Sequence, residues 1–207
     1  MEIKNILNHF KGKNVLVTGH TGFKGSWLAF LLDHVGAKVT GLALAPKTNP
    51  SLFELLDING KCNSIIADIN SAEDVKQAID QAQPDYIFHM AAQPLVRYSY
   101  KQPLETFATN VMGTANVLEA CKILNKKCVV ICITTDKVYH NYEWEFPYRE
   151  NDRLGGYDPY SASKAAAELV IDSYRNSFFK NSDSFLLLIL ALNKMLFSFF
   201  SKTPIQK

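Results

Sequence analysis

Strand and helix patterns alternate along the chain, and that alternation predicts an α/β fold with a doubly wound parallel sheet. Two further observations support it. The apolar runs are short, continuous and rich in Val and Ile, as strands covered on both faces must be. A glycine cluster also stands between the first such run, Asn14–Thr18, and the first amphipathic helix.

The elements follow in order. Phe23 to Val35 reads as a helix with Gly36 as its stop signal. Ala37 to Leu44 and Ser64 to Ala67 are the second and third strands. Ser71 caps a helix with Asp74 as its capping-box partner, and Pro84 closes it. Asp85 to Met90 is the fourth strand, Pro103 to Leu124 one long helix, and Cys128 to Thr134 the fifth strand. Pro159 to Phe179 is a second long helix, and a sixth strand begins at Phe185.

The 207 residues leave room for one large domain or two small ones. A hydrophobic fraction of 47% and a charged fraction of 20% suit a chain that buries a core. The net charge of +2 gives no electrostatic reason to expect nucleic acid or an anionic membrane surface. Cys128 and Cys132, on one strand, would point the same way but sit about 13 Å apart, too far for a disulfide. With Cys62 and Cys121 they read as four reduced thiols, with no ligand spacing for a metal. The N-terminal residues Met1–Asn5 lack the apolar run of a signal peptide, so a cytoplasmic protein is expected.

Thr18-Gly19-His20-Thr21-Gly22-Phe23-Lys24-Gly25 has the context of a phosphate-binding turn at the start of a βαβ unit. Gly19 would permit the tight turn, Gly22 the approach of a pyrophosphate to the backbone, and Gly25 close packing of helix on strand. The helix N-terminus would offer its N–H groups and partial positive charge. The Gly-x-x-Gly-x-x-Gly spacing resembles that of the short-chain dehydrogenases. The second strand runs out through Gly41-Leu42-Ala43-Leu44-Ala45-Pro46-Lys47 without the acid that often binds the adenosine ribose. Lys47 therefore reads either as a 2′-phosphate partner or as a solvated surface lysine. Asp68 reads equally as an acceptor for the adenine amino group or as a helix-start residue.

Tyr160-Ser161-Ala162-Ser163-Lys164 puts a tyrosine and a lysine one turn apart on one helix face. A phenol near pKa ~10 is a poor base at neutral pH, and a nearby cation favours its phenolate. The fifth strand ends in Thr134-Thr135-Asp136-Lys137. Ligands of open α/β sheets bind beyond the carboxyl ends of strands, which positions this hydroxyl, acid and amine for chemistry.

With these motifs stand His89-Met90-Ala91-Ala92-Gln93-Pro94 and Thr109-Asn110-Val111-Met112-Gly113-Thr114. Together they resemble the extended short-chain dehydrogenase/reductases acting on nucleotide sugars. Gly22 to Trp27, Pro50 to Glu54 and Tyr148 to Tyr160 are similar to the CDP-glucose 4,6-dehydratases within that superfamily. The resemblance runs from about Lys13 to Phe179. It implies a Rossmann-like domain with NAD as cofactor and CDP-glucose as substrate. It further implies a cofactor site drawn from Gly19, Thr21, Gly22, Phe23, Gly25, Asp68, Ile69, Ala91, Ala92, Gln93, Asn110, Tyr160 and Lys164. Gln93, Arg97 and Thr135 would hold the sugar nucleotide.

In the implied mechanism Tyr160 and Lys164 assist oxidation at the sugar C4, Thr135 bonds the C4 oxygen, and Asp136 protonates the departing C6 hydroxyl. Lys137 stands where the dTDP-glucose enzymes carry the glutamate that removes the C5 proton. As a base it would need a pKa depressed by burial or by a nearby cation. The product would be a 4-keto-6-deoxy sugar, a precursor in deoxysugar and O-antigen synthesis. A homodimer through the helices near Pro103–Leu124 and Pro159–Phe179 is also implied.

Beyond the tyrosine helix the resemblance stops. The expected Arg-Ala-Gly-Asn-Val segment is absent. Gly156 is the last glycine, and no acidic residue follows Asp183. The apolar stretch Phe185–Phe200 is interrupted by Asn193 and Lys194 and falls short of the ~20 residues of a membrane span. The expected organisation is a dinucleotide-binding domain over residues 1–192 and a non-family tail over 193–207, with turnover impaired by truncation. A nucleotide-sugar 4-epimerase and a catalytically silent, dimerising NAD-binding fragment are the alternatives.

Overall fold

The computed structural model describes residues 8–180 and 185–191. The expected tail, 193–207, and the N-terminal residues Met1–Asn5 lie outside them. The elements are β1 (Asn14–Thr18), α1 (Phe23–His34), β2 (Lys38–Ala43), α2 (Leu52–Leu55), β3 (Asn63–Ile66) and α3 (Ala72–Ala82). There follow β4 (Tyr86–His89), α4 (Val96–Lys101), α5 (Pro103–Phe107), α6 (Gly113–Cys121), β5 (Cys128–Thr134), α7 (Pro159–Tyr174) and β6 (Phe185–Ala191).

The six strands lie in the order β3-β2-β1-β4-β5-β6, and every pairing is parallel. The chain thus starts in the middle of the sheet, winds outward to β3, then crosses to β4 and winds the other way. Thr18 at the end of β1 sits beside both Leu42 and His89. Between β1 and β4 lies the topological switch point, where a crevice opens at the strands' carboxyl ends.

Side-chain alternation divides the core. Val15 and Val17 pack with Ala29 and Leu32 of α1, with Val39, and with Phe53 of α2. Leu16, Leu42 and Ile87 pack on the opposite face with Val75 and Ile79 of α3, Leu118 of α6 and Ile171 of α7. A strand buried on both faces is what the unbroken apolar run of β1 requires. β5 differs: Cys128, Val130 and Cys132 are buried, while Val129, Ile131 and Ile133 between them are only half-buried. On neighbouring β6, Leu187 is buried but Leu186 and Leu188 are exposed.

The four cysteines carry free thiols, three of them in the core. Ser71 accepts from the N–H of Asp74, as the sequence suggests. The long helix expected over Pro103–Leu124 is not one continuous α-helix. Ala108–Met112 forms a π-helical turn between α5 and α6. Such turns admit one extra residue per turn and cluster at functional sites. Here the turn carries the buried Asn110. The second long helix likewise ends its α-helical part at Tyr174 and continues as a π turn over Arg175–Phe179.

Candidate active site

The glycine loop is shaped by the chain itself. Gly19 has φ +80°, and a Cβ there would lie 2.8 Å from the Ala91 nitrogen, so only glycine lets β1 turn this close to the end of β4. A Cβ on Gly25 would fall 2.0 Å from the Gly19 carbonyl oxygen, so the first turn of α1 can rest on the loop only without a side chain there. Gly22 is different. A Cβ there would meet the Gly19 oxygen at 3.4 Å, an ordinary contact, so its own chain does not demand glycine. Gly22 and Phe23 are exposed at the N-terminus of α1, and no side chain caps that helix end. An uncapped helix N-terminus behind a glycine turn fits a pyrophosphate.

The rest of the cradle is more internal than the sequence suggests. Thr21 donates its hydroxyl to the Leu44 carbonyl at 2.8 Å, tying the loop to the end of β2. No acid stands at that strand end. Lys47 lies over the Tyr98 ring with Nζ 5.9 Å from its centre. Asp68 accepts from the Asn70 N–H at 2.9 Å. Ile69 is buried in the core, and Asn116 donates to its carbonyl at 2.9 Å. His20, read only as a spacer between glycines, is fully buried. Its Nε2 pairs with the Ser64 hydroxyl at 2.7 Å and its ring meets Phe53 edge-on. Burial pushes its pKa down to about 4.

Ala91 and Ala92 follow β4, half-buried. Gln93 and Asn110 turn inward, and their side chains are taken up by the protein. The Gln93 amide nitrogen donates to Thr106 at 2.9 Å and to the Leu95 carbonyl at 3.2 Å. Its oxygen accepts from the Leu95 N–H at 2.7 Å. Asn110 accepts from the Gln93 N–H at 2.8 Å and donates to the Ser163 hydroxyl at 2.8 Å, joining the loop after β4 to α7.

α7 begins at Asp158, whose carboxylate accepts from the Ser161 N–H and hydroxyl, an N-cap that fixes where the helix starts. Tyr160 follows in the first turn. Its N–H donates to the buried Ser99 hydroxyl of α4 at 3.1 Å, which seats α4 against the start of α7. Arg97, two residues before Ser99, is exposed. The Tyr160 side chain stands near Thr135 at the end of β5. Burial raises its pKa above the ordinary phenol value, Thr135 works against this, and Asp136 adds to it. The depression expected from Lys164 is therefore absent in the chain by itself. Lys164 is 7% exposed and donates to the Ile133 carbonyl at 3.1 Å. Burial lowers its pKa to about 8, and Cys132 and Glu168 partly restore it.

Thr135, Asp136 and Lys137 sit where β5 ends. Thr135 caps the short 3-10 turn Asp136–Val138 and donates to Asp136 at 3.0 Å. Asp136 and Lys137 are exposed. The burial invoked for a basic Lys137 is not found among the described residues. The loop then returns to α7 through a bond from the Gly155 N–H to the Val138 carbonyl at 2.8 Å and a bridge between Tyr139 and Leu154. Sequence reasoning missed Ser99, Ser163 and Glu168. Ser163 and Glu168 could have been found from their i+3 and i+8 spacing to Tyr160, whereas Ser99 lies in a helix the sequence did not reveal. Among the described residues no group of His, Cys, Asp and Glu is placed to hold a metal ion, and no helix is long and apolar enough to cross a membrane.

Sheet order, glycine cradle and the Tyr160–Lys164 pair define a Rossmann-like domain of short-chain dehydrogenase/reductase type. The chain belongs to the GDP-mannose 4,6 dehydratase family, whose model matches residues 16–182. It is 54% identical over 172 residues to the CDP-glucose 4,6-dehydratase of Salmonella typhimurium, a match covering 83% of this chain and 48% of that one. It is 32% identical to the CDP-paratose 2-epimerase of Salmonella typhi, covering 81% of this chain and 54% of that one. The chain thus spans about half the length of these curated relatives. The UDP-glucose 4-epimerase of Thermus thermophilus, solved in complex with NAD, superposes with a TM-score of 0.72 at 27% identity, covering 86% of this chain and 54% of that one.

Proposed function

We propose that these residues form the dinucleotide-binding and catalytic unit of an NAD-dependent nucleotide-sugar 4,6-dehydratase, with CDP-glucose as substrate and the cytoplasm as its place of work. The observation that carries the reading is the convergence, at the carboxyl ends of the strands, of the glycine cradle after β1, Thr135-Asp136-Lys137 after β5 and Tyr160 in the first turn of α7, whose Lys164 is bonded to the Ile133 carbonyl of β5. NAD, when bound, supplies the hydride acceptor and a positive charge. Gly19, Gly22, Gly25 and the N-terminus of α1 would hold its pyrophosphate.

Tyr160 would take the proton from the sugar C4 hydroxyl while Thr135 holds that oxygen. Lys164, one turn along the same helix, is bonded to the Ile133 carbonyl of β5. Oxidation at C4 acidifies the C5 hydrogen, and Asp136 would give a proton to the departing C6 hydroxyl. Lys137, beside it, is the candidate for the C5 base, a role that needs a cation supplied by the bound complex to free its amine of the proton. Identity to the Salmonella dehydratase and the Thr135-Asp136-Lys137 sequence favour elimination over simple 4-epimerisation, which needs no such acid–base pair.

A homodimer fits the same reading. α5 and the turn after it expose Leu104 and Met112, and α7 exposes Leu169. Two helices from each of two chains would bury these in a four-helix contact. A monomer in sedimentation at micromolar concentration would remove this part of the proposal.

The deciding experiment incubates the purified chain with NAD and CDP-glucose and looks for a 4-keto-6-deoxy product by NMR, beside a Tyr160→Phe control. Turnover well below that of a full-length relative is expected of this chain, and Tyr160→Phe should lower what remains by about a hundredfold or more. A 4-epimer in place of the keto product would return the assignment to the epimerase. NAD binding with no conversion would leave the silent, dimerising module.

A further inference from the structure

His89 is buried at the end of β4 and takes no part in the chemistry above, yet each of its nitrogens has a partner. Nδ1 lies 2.8 Å from the Thr18 hydroxyl and Nε2 lies 3.0 Å from the Thr114 hydroxyl. The flanking bonds settle where the protons are. Thr114 donates its hydrogen to the Asn110 carbonyl at 2.7 Å, so toward His89 it can only accept. Nε2 must therefore carry the proton. Nδ1 is then an acceptor, and Thr18 donates to it. The Thr18 oxygen in turn accepts from the N–H groups of Met90 and Ala91 at 3.0 and 3.1 Å. All these polar groups are satisfied by one neutral tautomer and by no other.

The two ends of this chain of bonds matter. Thr18 immediately precedes Gly19, and Ala91 is the residue against which Gly19 is pressed. At the far end, Asn110 donates to Ser163, which donates to the Tyr160 carbonyl at 2.7 Å. We propose that His89, as the neutral Nε2–H tautomer, is a positioning residue that holds the dinucleotide crevice in register with the helix bearing Tyr160. The proposal rests on the dinucleotide reading above and names the device that sets the width of that site. Lys164 is the charged group that faces His89; with burial it holds the imidazole neutral, at a pKa of about 3.

The test has a spectroscopic arm and a binding arm. In 15N NMR of the histidine rings, His89 should show a protonated Nε2 and an unprotonated Nδ1, with no titration between about pH 5 and 8. A protonated Nδ1, or a ring that titrates in this range, would overturn the proposal. By calorimetry, His89→Phe should bind NAD about tenfold or more weakly, because it strands buried partners at both ends. His89→Gln, which offers an acceptor and a donor, should recover most of that loss. Parent-like affinity in a folded His89→Phe chain, or failure of Gln to rescue, would overturn it.

If His89→Phe does not fold, Thr114→Val removes the hydroxyl that joins His89 Nε2 to the Asn110 carbonyl and leaves His89 and Thr18 in place. Its Ala91 amide should then exchange about tenfold faster than in the parent; unchanged exchange would overturn the proposal. If the parent binds no NAD, the dinucleotide reading fails, and the tautomer and the Ala91 exchange still decide the relay.

Discussion

The two halves of the sheet are built to different standards. Around β1 and β2 apolar side chains are buried on both faces, and the loop at their carboxyl ends fits its neighbours to within a missing Cβ. Around β5 and β6 one face is buried while the other is half-buried or exposed, and the polar residues at the end of β5 project from a single short turn. The contrast separates two tasks. A pyrophosphate is met by backbone, so a cradle for it can be completed by close packing of the chain on itself. Acid and base groups must reach a substrate, so they stand on an edge and take their surroundings from whatever covers it.

Two glycine variants probe the packed half and should part company. Gly25→Val drives a side chain into the Gly19 carbonyl, where no rotamer gives relief. A loss of about 3 kcal/mol or more is expected, read as a drop in thermal midpoint or failure to fold. Gly22→Val meets nothing closer than ordinary contact. Its thermal midpoint should stay near the parent's while NAD affinity falls by about a hundredfold, since a branched side chain would occupy the pyrophosphate's place. Equal losses of stability in both would break the distinction between a glycine required by the fold and one required by a ligand.

The strands were legible in both halves. Glycine spacing, apolar runs and helix stops placed β1, α1, β2, β4 and β5 to within a residue or two, because local rules and burial point the same way there. Sequence could not show that Asn110 and Gln93 turn inward. Their amides look the same whether they face a ligand or one another, and the π turn that directs Asn110 leaves no mark in residue pattern. His20 and His89 were equally silent, since a histidine's role is set by partners brought from distant strands. Tyr160 and Lys164 were found from helix spacing, but the rise in the Tyr160 pKa follows from burial and from Asp136, which spacing does not contain.

Acid should unfasten the packed half first. His20 and His89 have folded pKa values of about 4 and about 3, both below the ordinary value of 6.5. The unfolded chain therefore takes up protons before the folded one, and stability falls as pH drops from about 6.5 toward 4, by at most about 3 kcal/mol for each histidine at pH 4. Above that window neither contributes. Urea midpoints measured across it should fall steadily, and His89→Gln should remove about half of the slope. Hydrogen exchange in β1, β2 and β4 should rise before that in β5. Loss of protection in β5 first would place the acid-sensitive groups in the other half and undo the comparison.

The smallest effect tests the open half from within. Lys164 is buried against the underside of β5, and Glu168, one turn further along α7, is one of two groups that raise its pKa back toward the ordinary value. Glu168 itself is partly buried, which raises its own pKa, while Thr134 and Lys164 act to keep it ionised. Glu168→Gln keeps the shape and removes the charge. The Lys164 pKa should then fall below about 8, by less than about one unit, since Cys132 and the solvent-facing side of the carboxylate share the effect. Side-chain lysine NMR reads the shift directly, and the thermal midpoint should scarcely move. A shift of several units would mean that the edge of β5 is as tightly enclosed as the cradle, and no shift would mean that strand and solvent alone set the charge on Lys164.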